Sequence, residues 1–203
     1  MIIKSISYDQ HEIIQNIITL HTGEIECDVT WGNGNFYRKI KPPKLRLDRY
    51  PKQSGVIKAD VRCLPLPDNS IRTVMLDPPF MARTGPGATL KARFGELKGT
   101  MFDLWDFYGE ALTEIYRVLK PEGWLVFKCQ DSVLAGTNRF THVEIFNRAK
   151  ALGLEAVDLF ILLAKHRMMH PKHKTQRHCR KYHSYFWVFQ KVTPEIIRKK
   201  KYR

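Results

Sequence analysis

Ile71-Arg72-Thr73-Val74-Met75-Leu76-Asp77-Pro78-Pro79-Phe80 decides the architecture of this chain. A mostly apolar, partly β-branched run ends in an acid and two prolines, and proline cannot extend a ladder of hydrogen bonds. The pattern is that of a buried strand stopping abruptly at Leu76, followed by a loop at its carboxyl end. In open α/β sheets, ligands bind in the crevice outside those carboxyl ends, so residues 77–80 are expected at a binding edge. An ordinary turn uses the same residues, since Asp-Pro is a common turn opener, and the flanking sequence has to decide.

The chemistry of the tetrapeptide suits a flat amine on a nucleic-acid base. The lone pair of such an amine is delocalised into the ring and must be localised before it can attack an alkyl donor. The Asp77 carboxylate and a backbone carbonyl of Pro78 or Pro79 would each accept one N–H, while Phe80 stacks on the extruded base.

Upstream, Ile25 to Thr30 reads as a short strand that runs into Trp31-Gly32-Asn33-Gly34. Glycines at positions 32 and 34 allow positive φ and close approach of backbone to a ligand, although Gly-Asn-Gly is also a hairpin signal. Leu45 to Asp48 and Val56 to Asp60 are two further short strands, each ending in an acid. Asp48 is the candidate partner for ribose hydroxyls, because an acid at the end of a second strand commonly plays that part. Exposed loop carboxylates are the plain alternative for both acids. Residues 49–55 are too few for a crossover helix, and Pro42-Pro43 cuts short the segment that begins at Asn35.

Downstream, Leu104, Phe107, Tyr108, Ala111, Leu112, Ile115, Val118 and Leu119 recur at helical spacing, predicting an amphipathic helix over Phe102 to Leu119. Lys120-Pro121-Glu122-Gly123 ends it, and Trp124 to Cys129 is the next buried strand. A helix from His142 to Leu152 closes at Gly153. Strands over Leu154 to Leu163 and Ser184 to Gln190 follow.

Taken in order, these pieces resemble the class I S-adenosylmethionine-dependent methyltransferases that modify exocyclic amines of nucleic acids, whose hallmark is Asp/Asn/Ser-Pro-Pro-Tyr/Phe/Trp. The resemblance covers most of residues 10–191. It implies an α/β, Rossmann-like, mostly parallel seven-stranded sheet with an antiparallel last strand, here with shortened early crossovers. It further implies S-adenosylmethionine as cofactor, with Asp28, Thr30, Trp31, Gly32, Gly34, Asp48 and Asp60 as cofactor contacts, Asp60 beside the adenine. Thr30 stands where the family usually has an aromatic. Asp77, Pro78, Pro79 and Phe80 would be the catalytic set, and His183 resembles a late position near the target base. The expected activity is methylation of DNA at adenine N6 before cytosine N4. RNA base methylation, at adenine N6 or guanine N2, and a non-catalytic nucleic-acid-binding subunit are the alternatives.

Charge agrees with a polyanionic partner: the 203 residues carry a net +14, and the pI is near 9.7. A protein so basic concentrates nucleic acid around itself. From Lys165 to His183 there are seven Lys or Arg residues, five histidines and no acid. Lys172, Lys174 and Arg177 are the candidate phosphate contacts in this stretch, with Arg83, Lys91 and Arg93 in the glycine-interrupted segment Met81 to Met101. That segment is long enough to act as a lid over the target base. Clustered cations and Pro171 argue against zinc at the histidines, so no metal is expected.

An apolar content of 43% supports a single domain over residues 1–192, with 193–203 as a basic tail. No apolar run is membrane-sized, and the unpaired spacing of Cys27, Cys63, Cys129 and Cys179 suits a reducing, cytoplasmic setting. No gap between the motifs could hold a target-recognition domain. Relaxed sequence preference, or a partner subunit that supplies specificity, is therefore expected.

Overall fold

The structure is a computed structural model that describes residues 2–80, 101–134, 136–165 and 178–192. Among these residues, ten strands form. They are β1 (Ile6–Ser7), β2 (Cys27–Asp28), β3 (Leu45–Asp48), β4 (Ile57–Lys58), β5 (Ile71–Leu76), β6 (Leu119–Cys129), β7 (Ser132–Leu134), β8 (Thr137–Arg139), β9 (Leu154–Leu163) and β10 (His183–Lys191). Three α-helices accompany them: α1 (Gln10–Ile17), α2 (Met101–Val118) and α3 (Thr141–Ala151). The main sheet runs in the order β1-β9-β10-β6-β5-β2-β3-β4. Every neighbouring pair is parallel except the two made by β10, which runs antiparallel to both β6 and β9.

The Rossmann-like sheet with an antiparallel last strand is thus present, with one correction. The sheet has eight strands, because the two-residue β1 joins its edge through Ile6 and Ser7, opposite Ile161 and Leu162. A two-residue strand carries no periodicity of its own and is specified by its partner. The early crossovers are short, as expected. A single 3-10 turn, Asn35–Tyr37, lies between β2 and β3.

Helices cover both faces of the sheet. On one side α2 and α3 bury Leu104, Tyr108, Leu112, Ile115, Ile145 and Ala149 against Val74, Leu76, Leu125 and Phe127. On the other, Ile13, Ile14 and Ile17 of α1 pack with Phe36, Tyr37, Val126, Phe186 and Val188. Helix α1 starts where Asp9 accepts a hydrogen bond from the His11 N–H, one of the orphan donors of a first turn. Central strands buried on both faces explain why β5 and β6 read as continuous apolar runs. Among the described residues no helix is long and apolar enough to cross a membrane.

The junction from α2 to β6 depends on two contacts. At Gly123 a Cβ would lie 2.8 Å from the Lys120 carbonyl oxygen and 3.0 Å from that of Arg72, so only glycine lets the backbones approach. Lys191, the last residue of β10, donates hydrogen bonds to the Tyr116 carbonyl (2.7 Å), the Leu119 carbonyl (2.7 Å) and Asn69 Oδ1 (2.9 Å). Its ammonium satisfies carbonyls at the negative end of α2, which the helix itself leaves without donors. Lys191→Met should therefore lower unfolding stability by about 2–4 kcal/mol. Urea denaturation measures it, and a loss under about 0.5 kcal/mol would deny Lys191 that role.

Candidate active site

The carboxyl ends of β2 and β5 lie side by side, with Cys27 opposite Val74 and Asp28 opposite Met75. That pairing brings the loop after β2, residues 29–34, next to the tetrapeptide 77–80. The two loops are joined directly, since the Asp77 N–H donates to Thr30 Oγ1 at 2.7 Å. Thr30 in turn donates its own N–H to Asp28 Oδ1 at 2.8 Å. Threonine thus has a structural reason to stand at a position where the resemblance anticipates an aromatic ring. Thr30, Trp31, Gly32, Asn33, Asn35, Phe36 and Asp77 line one cleft of about 500 Å³, counting its open mouth.

Gly32 and Gly34 adopt φ of 57° and 66°. At Gly34 the requirement is steric as well, because a Cβ would sit 2.4 Å from the Trp31 ring. Trp31 stacks on Tyr37 at 5.2 Å, under the Arg46 guanidinium, and its indole N–H reaches Gln53 Oε1 at 2.8 Å. The indole is therefore part of the loop's foundation, and Gly32 and Asn33 offer the bare backbone.

Asp28 is 1% exposed. It accepts the Tyr37 hydroxyl at 2.9 Å in addition to Thr30. Burial pushes its carboxyl up to about 7, and the Asp77 charge adds to the rise against the hydrogen bonds from Thr30 and Tyr37. Asp28 is thus a buttress beneath the cleft.

Asp48 stands behind the same loop. Its two oxygens accept the backbone N–H groups of Gly32 (2.8 Å) and Tyr50 (2.7 Å), so its carboxylate fixes the glycine turn. Asp60 is drawn elsewhere. Hydrogen bonds from Arg62 hold it below the ordinary carboxylate range, with Arg49 3.5 Å away, and it is not among the residues lining the cleft.

Three residues to which the sequence reading gave no part in the site shape the tetrapeptide. The Tyr108 hydroxyl on α2 donates to the Pro79 carbonyl, and burial holds that phenol well above its usual range, so it remains a donor. Lys128 on β6 is 9% exposed. Its ammonium stands 3.8 Å from Asp77 Oδ1 and lies over the rings of Phe36 (4.8 Å), Phe80 (5.5 Å) and Phe186 (5.5 Å). Phe186 is the third. The signal for Lys128 was there to find: it is the single charged residue in the run Trp124 to Cys129, and lysine is almost never buried without a partner.

Phe80 faces a second cleft, of about 840 Å³ counting its open mouth, together with Gln130, His183, Ser184, Lys165 and residues 8–11. His183 Nε2 is 2.8 Å from the Tyr185 hydroxyl. Of the candidate site residues, the structure therefore brings Thr30, Trp31, Gly32 and Asp77 to one cleft and Phe80 and His183 to its neighbour. Arg83, Lys91, Arg93, Lys172, Lys174 and Arg177 lie outside the described residues, as do the proposed lid and the 193–203 tail.

No family model and no curated protein matches the chain. Solved structures do. The [4+2]-cyclase SpnF matches with a TM-score of 0.56 and 14% identity, over 90% of this chain and 80% of its own. TM1293, a SAM-dependent methyltransferase from Thermotoga maritima, matches with a TM-score of 0.51 and 17% identity, over 88% of this chain and 86% of its own. TTHA0409 from Thermus thermophilus, provisionally a DNA modification methylase and complexed with S-adenosyl-L-methionine, reaches a TM-score of 0.47 at 24% identity, over 66% of this chain and 54% of its own. The chain spans about half the length of that protein. At these identities the likeness is one of fold, and the fold is that of the Rossmann-like S-adenosylmethionine-dependent methyltransferases.

Two measurements probe the cleft. Gly34→Val should unseat Trp31 and weaken calorimetric binding of S-adenosylmethionine by roughly tenfold or more, the size of the left-handed penalty by itself. Unchanged affinity would remove the turn from the binding surface. Asp28 has a raised native pKa of about 7, so its contribution to stability is full below its ordinary range and is lost as pH climbs through about 7. The unfolding temperature should fall between about pH 4 and 7 by a component that Asp28→Asn lacks, and identical pH profiles would contradict it.

Proposed function

We propose that this chain transfers a methyl group from S-adenosylmethionine to an exocyclic amine of a base in DNA, adenine N6 in preference to cytosine N4. The observation that carries this reading is the hydrogen-bonded union of the glycine turn and the Asp77-Pro78-Pro79-Phe80 loop at one cleft. The backbone of Gly32 and Asn33 would hold the cofactor, which supplies an electrophilic methyl carried on a sulfonium.

The protein's own part is to make a poor nucleophile competent. Asp77 would accept one amine N–H. Since Tyr108 claims the Pro79 carbonyl, the Pro78 carbonyl is the natural acceptor for the other. Gripped by both, the amine keeps its lone pair on nitrogen, aimed at the methyl carbon. The bound cofactor would give up its methyl to that nitrogen and keep the electron pair on sulfur, and Asp77 would have the amine's surplus proton within reach. Lys128, 3.8 Å from Asp77 Oδ1, offsets the charge of that carboxylate. Phe80 offers its face to the base, and the second cleft beside it has the volume and the His183 and Gln130 side chains to receive the ring. Proximity and orientation supply most of the rate.

A basic chain without a base-reading module in its described residues fits broad sequence preference or a partner subunit. Mass spectrometry of nucleosides, after DNA and RNA are incubated with the protein and labelled cofactor, names polymer, base and atom together. Asp77→Ala should lower transfer by roughly a hundred- to ten-thousandfold while cofactor affinity stays put. Label appearing only in RNA would move the reading to that polymer, and no transfer to either would reduce the chain to a binding subunit.

A further inference from the structure

Past the end of β6 the chain makes a small hairpin, β7 and β8, in which Ser132 pairs with Arg139 and Val133 with Asn138. The hairpin leans on the start of α2, where Ser132 Oγ is 4.0 Å from the Met101 sulfur. This corner exposes two large rings, Phe102 at 60% and Phe140 at 54%. A cation lies over each ring. The Arg139 guanidinium is 5.7 Å from the centre of Phe102 and the Lys181 ammonium 5.6 Å from that of Phe140. The one acid of the hairpin segment 130–140, Asp131, is buried and turned toward His142 at 2.8 Å.

The corner is continuous with the cleft that Phe80 faces. His183 contacts the Tyr185 hydroxyl at 2.8 Å. Tyr185 stacks on His142 at 4.2 Å, and His142 meets Phe140 edge-on at 6.5 Å. A row of aromatic and imidazole groups therefore leads from His183 outward to Phe140, and Arg139 carries it on to Phe102.

We propose that this corner is a stacking platform for a single-stranded stretch of nucleic acid flanking the target base, with one base on Phe140, one on Phe102, and phosphates at Lys181 and Arg139. The proposal rests on the reading that Phe80 and His183 frame the target-base cleft. Exposed rings interleaved with cations are what unpaired nucleotides need, because each base offers a π-face and each linkage a negative charge. A duplex keeps its π-faces stacked internally and has little to offer the rings.

The test is binding, read by fluorescence anisotropy without turnover, with a labelled single-stranded oligonucleotide and its duplex as probes. Replacing both rings, Phe102→Ser with Phe140→Ser, should weaken single-strand binding by roughly tenfold or more and duplex binding by less than about twofold. Phe102→Leu with Phe140→Leu keeps the apolar surface and removes the rings, so it should show the same selective loss even if the serine pair unfolds. Arg139→Gln with Lys181→Gln should reduce the slope of log affinity against log salt for the single strand by about 1.4. Equal losses on both polymers, or no loss in the leucine pair, would overturn the proposal. So would a shift from dimer to monomer on light scattering as the sole effect, which would make the corner a self-association surface. Methyl transfer is scored separately. Selective single-strand binding without transfer would sink the enzymatic reading and leave the platform standing, and transfer with ring-independent binding would do the opposite.

Discussion

The Thr30 hydroxyl is the point through which the two halves of the site act as one. It accepts the Asp77 N–H, while the Thr30 N–H is anchored on Asp28. Asp77 follows a strand end and precedes two prolines, so its N–H is the last backbone donor before two residues that have none. Were that donor left to water, the tetrapeptide would lose its direct tie to the glycine turn. Bonded to Thr30, it holds a set distance from Gly32 and Gly34. The parallel pairing of β2 with β5 is what makes the reach short enough.

Charge is arranged around that joint with little solvent to soften it. Two carboxylates, Asp28 and Asp77, lie close enough for the second to raise the pKa of the first. One ammonium, Lys128, opposes them from β6, and the rings of Phe36, Phe80 and Phe186 stabilise that cation where water is scarce. The rings come from three separate parts of the chain: the turn after the glycines, the tetrapeptide and the last strand. A single lysine thus ties the clamp to the α1 side of the sheet, and the balance of charge separates an acid that takes a proton near neutrality from one held beside a counter-charge.

Several strands were legible because burial writes itself into them. Leu45–Asp48, Ile71–Leu76 and Leu154–Leu163 appear with the bounds their apolar runs suggest, and α2 and α3 differ by a single residue at each end. Ile25 to Thr30 shortens to Cys27–Asp28, since Val29 bonds to Met75 on one side while Trp31 bonds to Leu47 on the other, leaving no regular ladder. Val56 to Asp60 likewise contracts to Ile57–Lys58. The edge strand β1 and the β7–β8 hairpin had no such signal, being two or three residues long and dependent on partners for their conformation. In the site, Asp48 and Asp60 show the limit of motif logic. An acid at a strand end is readable, but whether it meets a ligand, a glycine N–H or an arginine depends on what the fold places opposite it.

By itself, the sequence determined that a buried strand ends in Asp77-Pro78-Pro79-Phe80, that a glycine turn ends an earlier one, and that the chain is strongly cationic. Those are local properties, set by hydrophobic periodicity, by the missing N–H of proline and by formal charge. Only the tertiary structure decided that Thr30 joins the two loops, that Tyr108 takes one proline carbonyl, that Lys128 lies in a ring cage beside Asp77, and that Phe102 and Phe140 share a corner. Each of these brings together groups from separated parts of the chain. Their meeting is fixed by strand order and helix packing, which no local pattern encodes.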